Sequence, residues 1–201
     1  MYLQHSLSGS AVILYLEAEL AFAEWLQAIA TSHLEIDRRF IDLLADIHDI
    51  DVRQPAAGPP PHTIGEWVDQ GVMPRRKGLA FMAKLRPWQA SLPPEDQGAT
   101  DTFAHDAYVV RRPEFIDSRR AIGQNAEVVT VSVLPTGPVI CGYLEAADPV
   151  DANRRLVASD RPYDVWFKDH LKYRFPPELD FSQPLPPIEP LFDYVSDIAR
   201  V

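Results

Sequence analysis

"YLEAE" at residues 15–19 and "YLEAAD" at 143–148 are nearly one phrase, and each follows a glycine by six residues. The spacing extends beyond the phrase. Gly9 and Gly137 stand 128 apart, as do Tyr15-Leu16-Glu17-Ala18 and Tyr143-Leu144-Glu145-Ala146. Asp37 and Phe40 match Asp164 and Phe167 at a shift of 127, Gln54-Pro55 matches Gln183-Pro184 at 129, and Trp67 matches Tyr194 at 127. Chance does not hold register over a stretch this long, so the spacing implies a duplicated unit.

Local signals give each unit the same order of parts. "YLQHSL" and "AVILYLE" flank the turn "SGS" and read as a hairpin. Ala21, Trp25 and Ile29 recur at helical spacing, and a second helix follows with Ile36, Phe40, Leu43, Leu44 and Ile47 on one face. Ser32, three residues before Glu35, has the spacing of a capping box. "RQPAAGPPPH" is too rich in proline for a helix or a central strand, and "TIGEWV" closes the unit as a short strand. In the second unit "EVVTVSVL" and "VICGYLE" form the hairpin. Asp148 caps a helix with Pro149 at its first position, and "RPYDVWFKDHL" is the second helix. "FSQPLPPIEP" and "LFDYV" repeat the proline segment and the closing strand.

Between the units, "LAFMAKLRP" reads as a strand and "WQASLPPEDQGAT" as a loop. "DTFAHDAYVVRRPEFIDSRRAIG" reads as a helix broken or kinked near Pro113, with Gly123 as the left-handed residue after its last turn. The expected fold class is therefore α+β: duplicated ferredoxin-like βαββαβ repeats with antiparallel sheets, the first repeat lacking its initial strand and helix. The incomplete repeat spans 1–69. The complete one spans 70–201, with 70–126 supplying the first strand, loop and helix and 127–201 the remainder.

Charge narrows the partners. A net charge of -10 opposes sequence-independent binding to nucleic acid and to an anionic membrane surface. Arg75-Arg76-Lys77 is a short exception that reads as a solvated linker. Cys141 is the single cysteine, so no internal disulfide can form, and its apolar neighbours suggest an inert core thiol. No apolar run approaches the ~20 residues of a membrane span, and the opening residues lack the pattern of a secretory leader. The expectation is a cytoplasmic protein without nucleic-acid or membrane partners.

The second unit resembles a family of small uncharacterised bacterial proteins of the ferredoxin-like, dimeric α+β barrel class. The residues that carry the resemblance are "AFMAKLRP", "RRPEFIDSRRAIG", "GYLEAADP", "ASDRPYDVWFKDHL" and "LDFSQPLPP". The first unit matches more weakly, through "YLQHSLSGSAVILYLEAE", "ATSHLEIDRRF" and "IDVRQPAAGPPP". The chain departs from the family pattern at Pro113 and at Arg174-Phe175. The resemblance implies a pseudo-dimeric barrel built within one chain, and it brings no catalytic residue with it.

In such a barrel, alternation puts Ala11, Ile13, Tyr15 and Glu17 on one face of a strand and Val12, Leu14 and Leu16 on the other. The aliphatic face is expected to meet helices. Tyr15 and Glu17, with Tyr143 and Glu145, then point into the space between the sheets. A carboxylate beside a phenol in an apolar cavity can act as a general base or bind a polar ligand. The simpler reading is that each Glu ends its strand and caps a backbone N–H or pairs with an Arg. His5 is a further ligand-binding candidate on its strand, against a simpler role as a hydrogen-bonded structural histidine.

No histidine pair has metal-ligand spacing, so neither a metal nor a cofactor is expected. Asp46, His48 and Asp51 gather near a helix end, where a histidine meeting the last carbonyls is the plainer account. Arg111-Arg112 and Arg119-Arg120 suit either an anion clamp or solvated pairing with Glu114 and Asp117. Trp166 and Phe167 read as helix packing. Two functions remain: a small-molecule-binding or enzymatic barrel with its cavity between the sheets, or a non-catalytic interaction or scaffolding protein. The incomplete first repeat also admits a homodimer formed through it.

Overall fold

The computed structural model describes residues 1–6, 9–15, 20–48, 51–54, 61–69, 77–86, 101–134, 137–175, 183 and 188–191. These make two compact units, one of Met1–Tyr15 with His62–Val201 and one of Leu16–Pro61. The repeat boundary expected at 69/70 falls inside the first unit. The smaller unit holds α1 (Phe22–Ala30) and α2 (Glu35–His48). The Oγ of Ser32 accepts from the Leu34 N–H at 3.2 Å, one residue short of the expected capping box, and Ile41 is buried.

The larger unit is α+β with two antiparallel sheets. Its strands are β1 (Tyr2–Ser6), β2 (Gly9–Ile13), β3 (His62–Val68), β4 (Lys77–Lys84), β5 (Gln124–Leu134), β6 (Gly137–Ala146) and β7 (Ile188–Pro190). Both expected hairpins form, β1 with β2 and β5 with β6. The sheet orders are β2-β1-β7 and β3-β5-β6-β4. The two sheets are not closed into one barrel. They meet through a cluster in which Tyr2, Ile13 and Ala80 are buried and Met82, Tyr143 and Ile188 pack on them. The Gln4 amide joins them further: it donates to the Met82 carbonyl at 2.9 Å and accepts from the Met82 N–H at 2.8 Å. A side-chain amide thus does what a neighbouring strand would do at the edge of β4. Val12 and Leu14, on the face expected to meet helices, are exposed.

The other face of the four-stranded sheet is covered by helices. These are α3 (Phe103–His105), a π-helical turn (Asp106–Val110), α4 (Arg112–Ala121), α5 (Pro149–Ala158) and α6 (Pro162–Leu171). The break expected near Pro113 is the π turn. Pro113 has no N–H to offer the Val109 carbonyl, and just before it the Arg111 N–H reaches five residues back to the Asp106 carbonyl at 2.8 Å. Gly123 ends α4 at φ 82°, the left-handed conformation its position calls for. Asp148 caps α5 by accepting from the Asp151 N–H at 3.0 Å, with Pro149 in the first turn. Phe115 is fully buried at the centre of this layer, with the rings of Trp67, Tyr108 and Tyr163 at 6.1, 5.0 and 6.4 Å from its own. Among the described residues, no helix is long and apolar enough to cross a membrane.

Gly65 sits where Tyr108 lies flat on β3, and a Cβ there would stand 2.6 Å from the ring. Substitution by alanine forces the π turn off the sheet. We expect Gly65→Ala to lower stability by about 1–3 kcal/mol, measured by urea unfolding. A neutral substitution would show that Tyr108 does not press on β3.

Candidate functional site

The residues singled out in the sequence are brought together only in part. Tyr15 and Tyr143 stack at 3.5 Å between ring centroids and 9° between planes, and the Tyr143 hydroxyl donates to Glu145 at 2.8 Å. Tyr2 joins them at 6.4 Å from Tyr143, a contribution its sequence context does not announce. His5 faces away. It is exposed, and its Nδ1 meets Ser10 Oγ across the hairpin at 2.8 Å. Glu17 lies outside the described residues. Burial, and then the Glu145 charge, push the Tyr143 phenol well above its ordinary pKa. A phenol so held keeps its proton and makes a poor base.

The cavity lies elsewhere. It measures about 460 Å³ and opens on the helix side of the four-stranded sheet, not between the two sheets. Ile64, Phe81, Val129, Ile140, Leu144 and Phe167 give it apolar walls. Tyr143 touches it, but Tyr15, Glu145 and His5 do not line it. Strand register fixes its two ends. Gln124 lies opposite Ala146 and Glu127 opposite Leu144, while Leu85 bonds to the Pro138 carbonyl at the far end of β6. The far end carries a charged pair. Arg174 gives 2.6 and 3.0 Å bonds to Asp101, a 2.7 Å bond to the His170 carbonyl, and lies over the Phe103 ring.

The inner end is a buried polar network. Arg119 is 1% exposed, with its guanidinium faces covered by Phe115 at 4.8 Å and Phe167 at 4.6 Å. Its Nε donates to Glu127 Oε2 at 2.7 Å, its Nη2 to Oε1 at 3.4 Å, and its Nη1 to Ser118 Oγ at 3.1 Å. Tyr108 donates to Glu127 Oε1 at 2.9 Å and Gln124 to Oε2 at 2.8 Å. Ser118 and Ser159 both donate to Asp164, which is fully buried at the start of α6. Burial works against the Arg119 charge, yet the charge and hydrogen bonds of Glu127 outweigh it and hold the guanidinium above its ordinary pKa. Burial, then Glu127, push the Tyr108 phenol well up.

Irregular backbone builds this end. A bulge between Gln124 and Ala126 inserts one residue into β5. With plain alternation Gln124 and Glu127, three apart, would face opposite ways. The bulge turns both toward the helices. The π turn supplies Tyr108. Sequence reasoning singled out Arg119 only as an anion clamp or a solvated residue, and did not single out Glu127, Gln124 or Tyr108. The legible signal was a polar "QNAE" entering a strand that is otherwise apolar.

The remaining candidates take the plainer roles. Arg111 pairs with Glu114, Arg112 reaches the Glu66 and Tyr108 carbonyls, and Arg120 pairs with the nearly buried Asp69 at 2.9 Å. Phe167 is buried, and Trp166 packs on Phe103 and Tyr163. Asp51 bonds Arg53 at 2.7 Å. Cys141 is partly buried, and burial raises the pKa of its thiol, which lowers the fraction of the reactive thiolate. Among the described residues, no group of three His, Cys, Asp or Glu is placed to hold a metal ion. No protein-family model matches the chain, and no curated protein or solved structure matches it.

Removing one partner of a buried ion pair leaves the other uncompensated. Arg119→Met is expected to cost about 3–5 kcal/mol, whereas the double change Arg119→Met with Glu127→Leu costs less than the single one. Chemical denaturation of Arg119→Met, Glu127→Leu and the double variant measures the coupling. A double variant as unstable as the sum of the singles would show that the two side chains are not coupled.

Tyr108, Tyr143 and Tyr163 all have raised phenol pKa values. Above about pH 10 the unfolded chain releases these protons and the folded chain keeps them, so stability falls as pH rises, by about 1.4 kcal/mol per pH unit per phenol. Unfolding free energies from pH 9 to 11 read this slope. Tyr143→Phe flattens it by one phenol, and an unchanged slope would contradict the assignment.

Proposed function

We propose that the chain binds a small, largely apolar molecule in the cavity between its four-stranded sheet and the helices α3 to α6. The observation that carries this reading is the cavity itself: about 460 Å³ with apolar walls converging on a few fixed polar groups. Pockets that take drug-sized ligands have this size and composition. Binding is favoured over acid–base catalysis because Glu127 already accepts from Tyr108, Gln124 and Arg119, and Tyr143 holds its proton.

The same proposal includes the duplicated ferredoxin-like architecture of the barrel class. Its support is a reciprocal strand exchange. β3, the closing strand expected for the first repeat, pairs with β5 of the second, and β7, at the end of the second repeat's proline segment, pairs with β1 of the first. β1 and β5 are counterparts under the 128-residue shift, so both pairings join the later part of one copy to the same strand of the other. A cytoplasmic setting agrees with the single, unpaired cysteine. A second reading, docking of a partner strand such as that of a second copy, rests on β2, whose outer edge has no strand partner among the described residues.

A neutral apolar fluorophore, N-phenyl-1-naphthylamine, tests the binding reading. The chain is expected to bind it saturably at a single site. Ile140→Trp, which fills the cavity, is expected to weaken binding by about tenfold or more while retaining a folded near-ultraviolet circular dichroism spectrum. Unsaturable binding, or a folded variant that binds as well as the parent, would overturn the reading.

A further inference from the structure

The inner end of the cavity has hydrogen-bonding capacity left over. Gln124 is 3% exposed. Its amide nitrogen donates to the Ala126 carbonyl at 3.0 Å and to Glu127 Oε2 at 2.8 Å. Exchanging nitrogen and oxygen would set the amide oxygen against two acceptors, so this orientation is fixed. Its oxygen, Oε1, has no partner among the described residues. Arg119 has donors to spare as well. A guanidinium carries five N–H groups. Nε and one N–H of Nη2 go to Glu127, and one N–H of Nη1 goes to Ser118. One N–H on each terminal nitrogen has no partner among the described residues. Phe115 and Phe167 cover the guanidinium faces, so those donors are satisfied only in its plane. Both side chains border the cavity.

Charge decides what can use this capacity. Arg119 and Glu127 balance one another. The carboxylate is filled by four hydrogen bonds, two from Arg119 and one each from Tyr108 and Gln124. A ligand carboxylate would place a second negative charge beside Glu127 with only a shared cation to offset it. An ammonium would meet Arg119 and find Glu127 already occupied. A neutral group that both donates and accepts meets neither penalty.

We propose that the cavity selects a neutral, largely apolar molecule bearing one hydroxyl or primary amide, which donates to Gln124 Oε1 and accepts from Arg119. This rests on the reading that the cavity binds a small molecule, and it names the class of ligand. The polar walls act as a filter of the kind that rejects an analogue lacking the matched group, because buried donors and acceptors are then left unpaired.

Equilibrium dialysis of the intact chain at pH 7 against four probes of one shape separates the two levels of the claim. The probes are 2-naphthol, naphthalene, 2-naphthoate and 2-naphthylmethylammonium. 2-Naphthol is expected to bind about tenfold tighter than each of the other three. Gln124→Met is expected to reduce that advantage over naphthalene to about twofold. Naphthalene, the anion or the cation binding as tightly as 2-naphthol would overturn the ligand class and leave the cavity reading standing. An unchanged 2-naphthol preference in Gln124→Met would overturn the assigned contact. Failure of all four probes to bind would overturn both.

Discussion

Arg119 leaves α4 and Glu127 enters β5 eight residues later, with the turn at Gly123 between them, and the two meet as a buried ion pair. Taking a guanidinium and a carboxylate out of water costs several kcal/mol per ion. The cost is offset only if geometry is held and the remaining lone pairs and N–H groups find partners. That requirement accounts for much of the local detail. Phe115 and Phe167 cover the guanidinium faces, Ser118 takes an edge, and Tyr108 and Gln124 complete the carboxylate. The π turn, the bulge in β5 and the glycine turn are each needed to bring one of these groups to the pair. A helical layer tied to a sheet at one end in this way has a fixed spacing there, and the cavity extends from that end along the strands.

The four-stranded sheet serves two neighbours, one on each face. Toward the other sheet it presents Ala80, Met82 and Tyr143, which pack with Tyr2, Ile13 and Ile188. Toward the helices it presents Phe81, Val129, Ile140 and Leu144. Gly142 lies between Ile140 and Leu144 on this second face, and Phe81 of the neighbouring strand leans over the space it leaves. The tyrosine and carboxylate pair that the repeated phrase draws attention to lies on the first face, away from most of the cavity. In the second occurrence of the phrase, Tyr143 stacks on Tyr15 and its hydroxyl donates a hydrogen bond to Glu145.

Hairpins, helix caps and the broken helix were legible because their signals are local. Asp148 before Pro149, the proline in "RRPEF" and Gly123 each act within a few residues, through backbone conformation or a missing N–H. The inner end of the cavity was not legible, because it depends on a bulge. One inserted residue near Asn125 reverses which side chains face the helices, and nothing in "QNAE" announces which residue is the extra one. For a related reason the face of His5 stayed open, because alternation assigns a face only once the partner sheet is known; Tyr2 and Gln4 take the buried face, and His5, hydrogen-bonded to Ser10, takes the exposed one. Arg119 was legible as a residue of interest, but its partner lies across a turn and on a different kind of element, and helix spacing alone offered Glu114 and Asp117.

The account stands on an unfilled apolar space between the sheet and its helices. Diffraction from a crystal of the chain under xenon pressure measures that space directly, since xenon enters dry apolar cavities and little else. The account predicts xenon density enclosed by Phe81, Ile140, Leu144 and Phe167, with Gln124 and Arg119 at its inner border. Side chains packed across the same space, with no xenon among them, would contradict it.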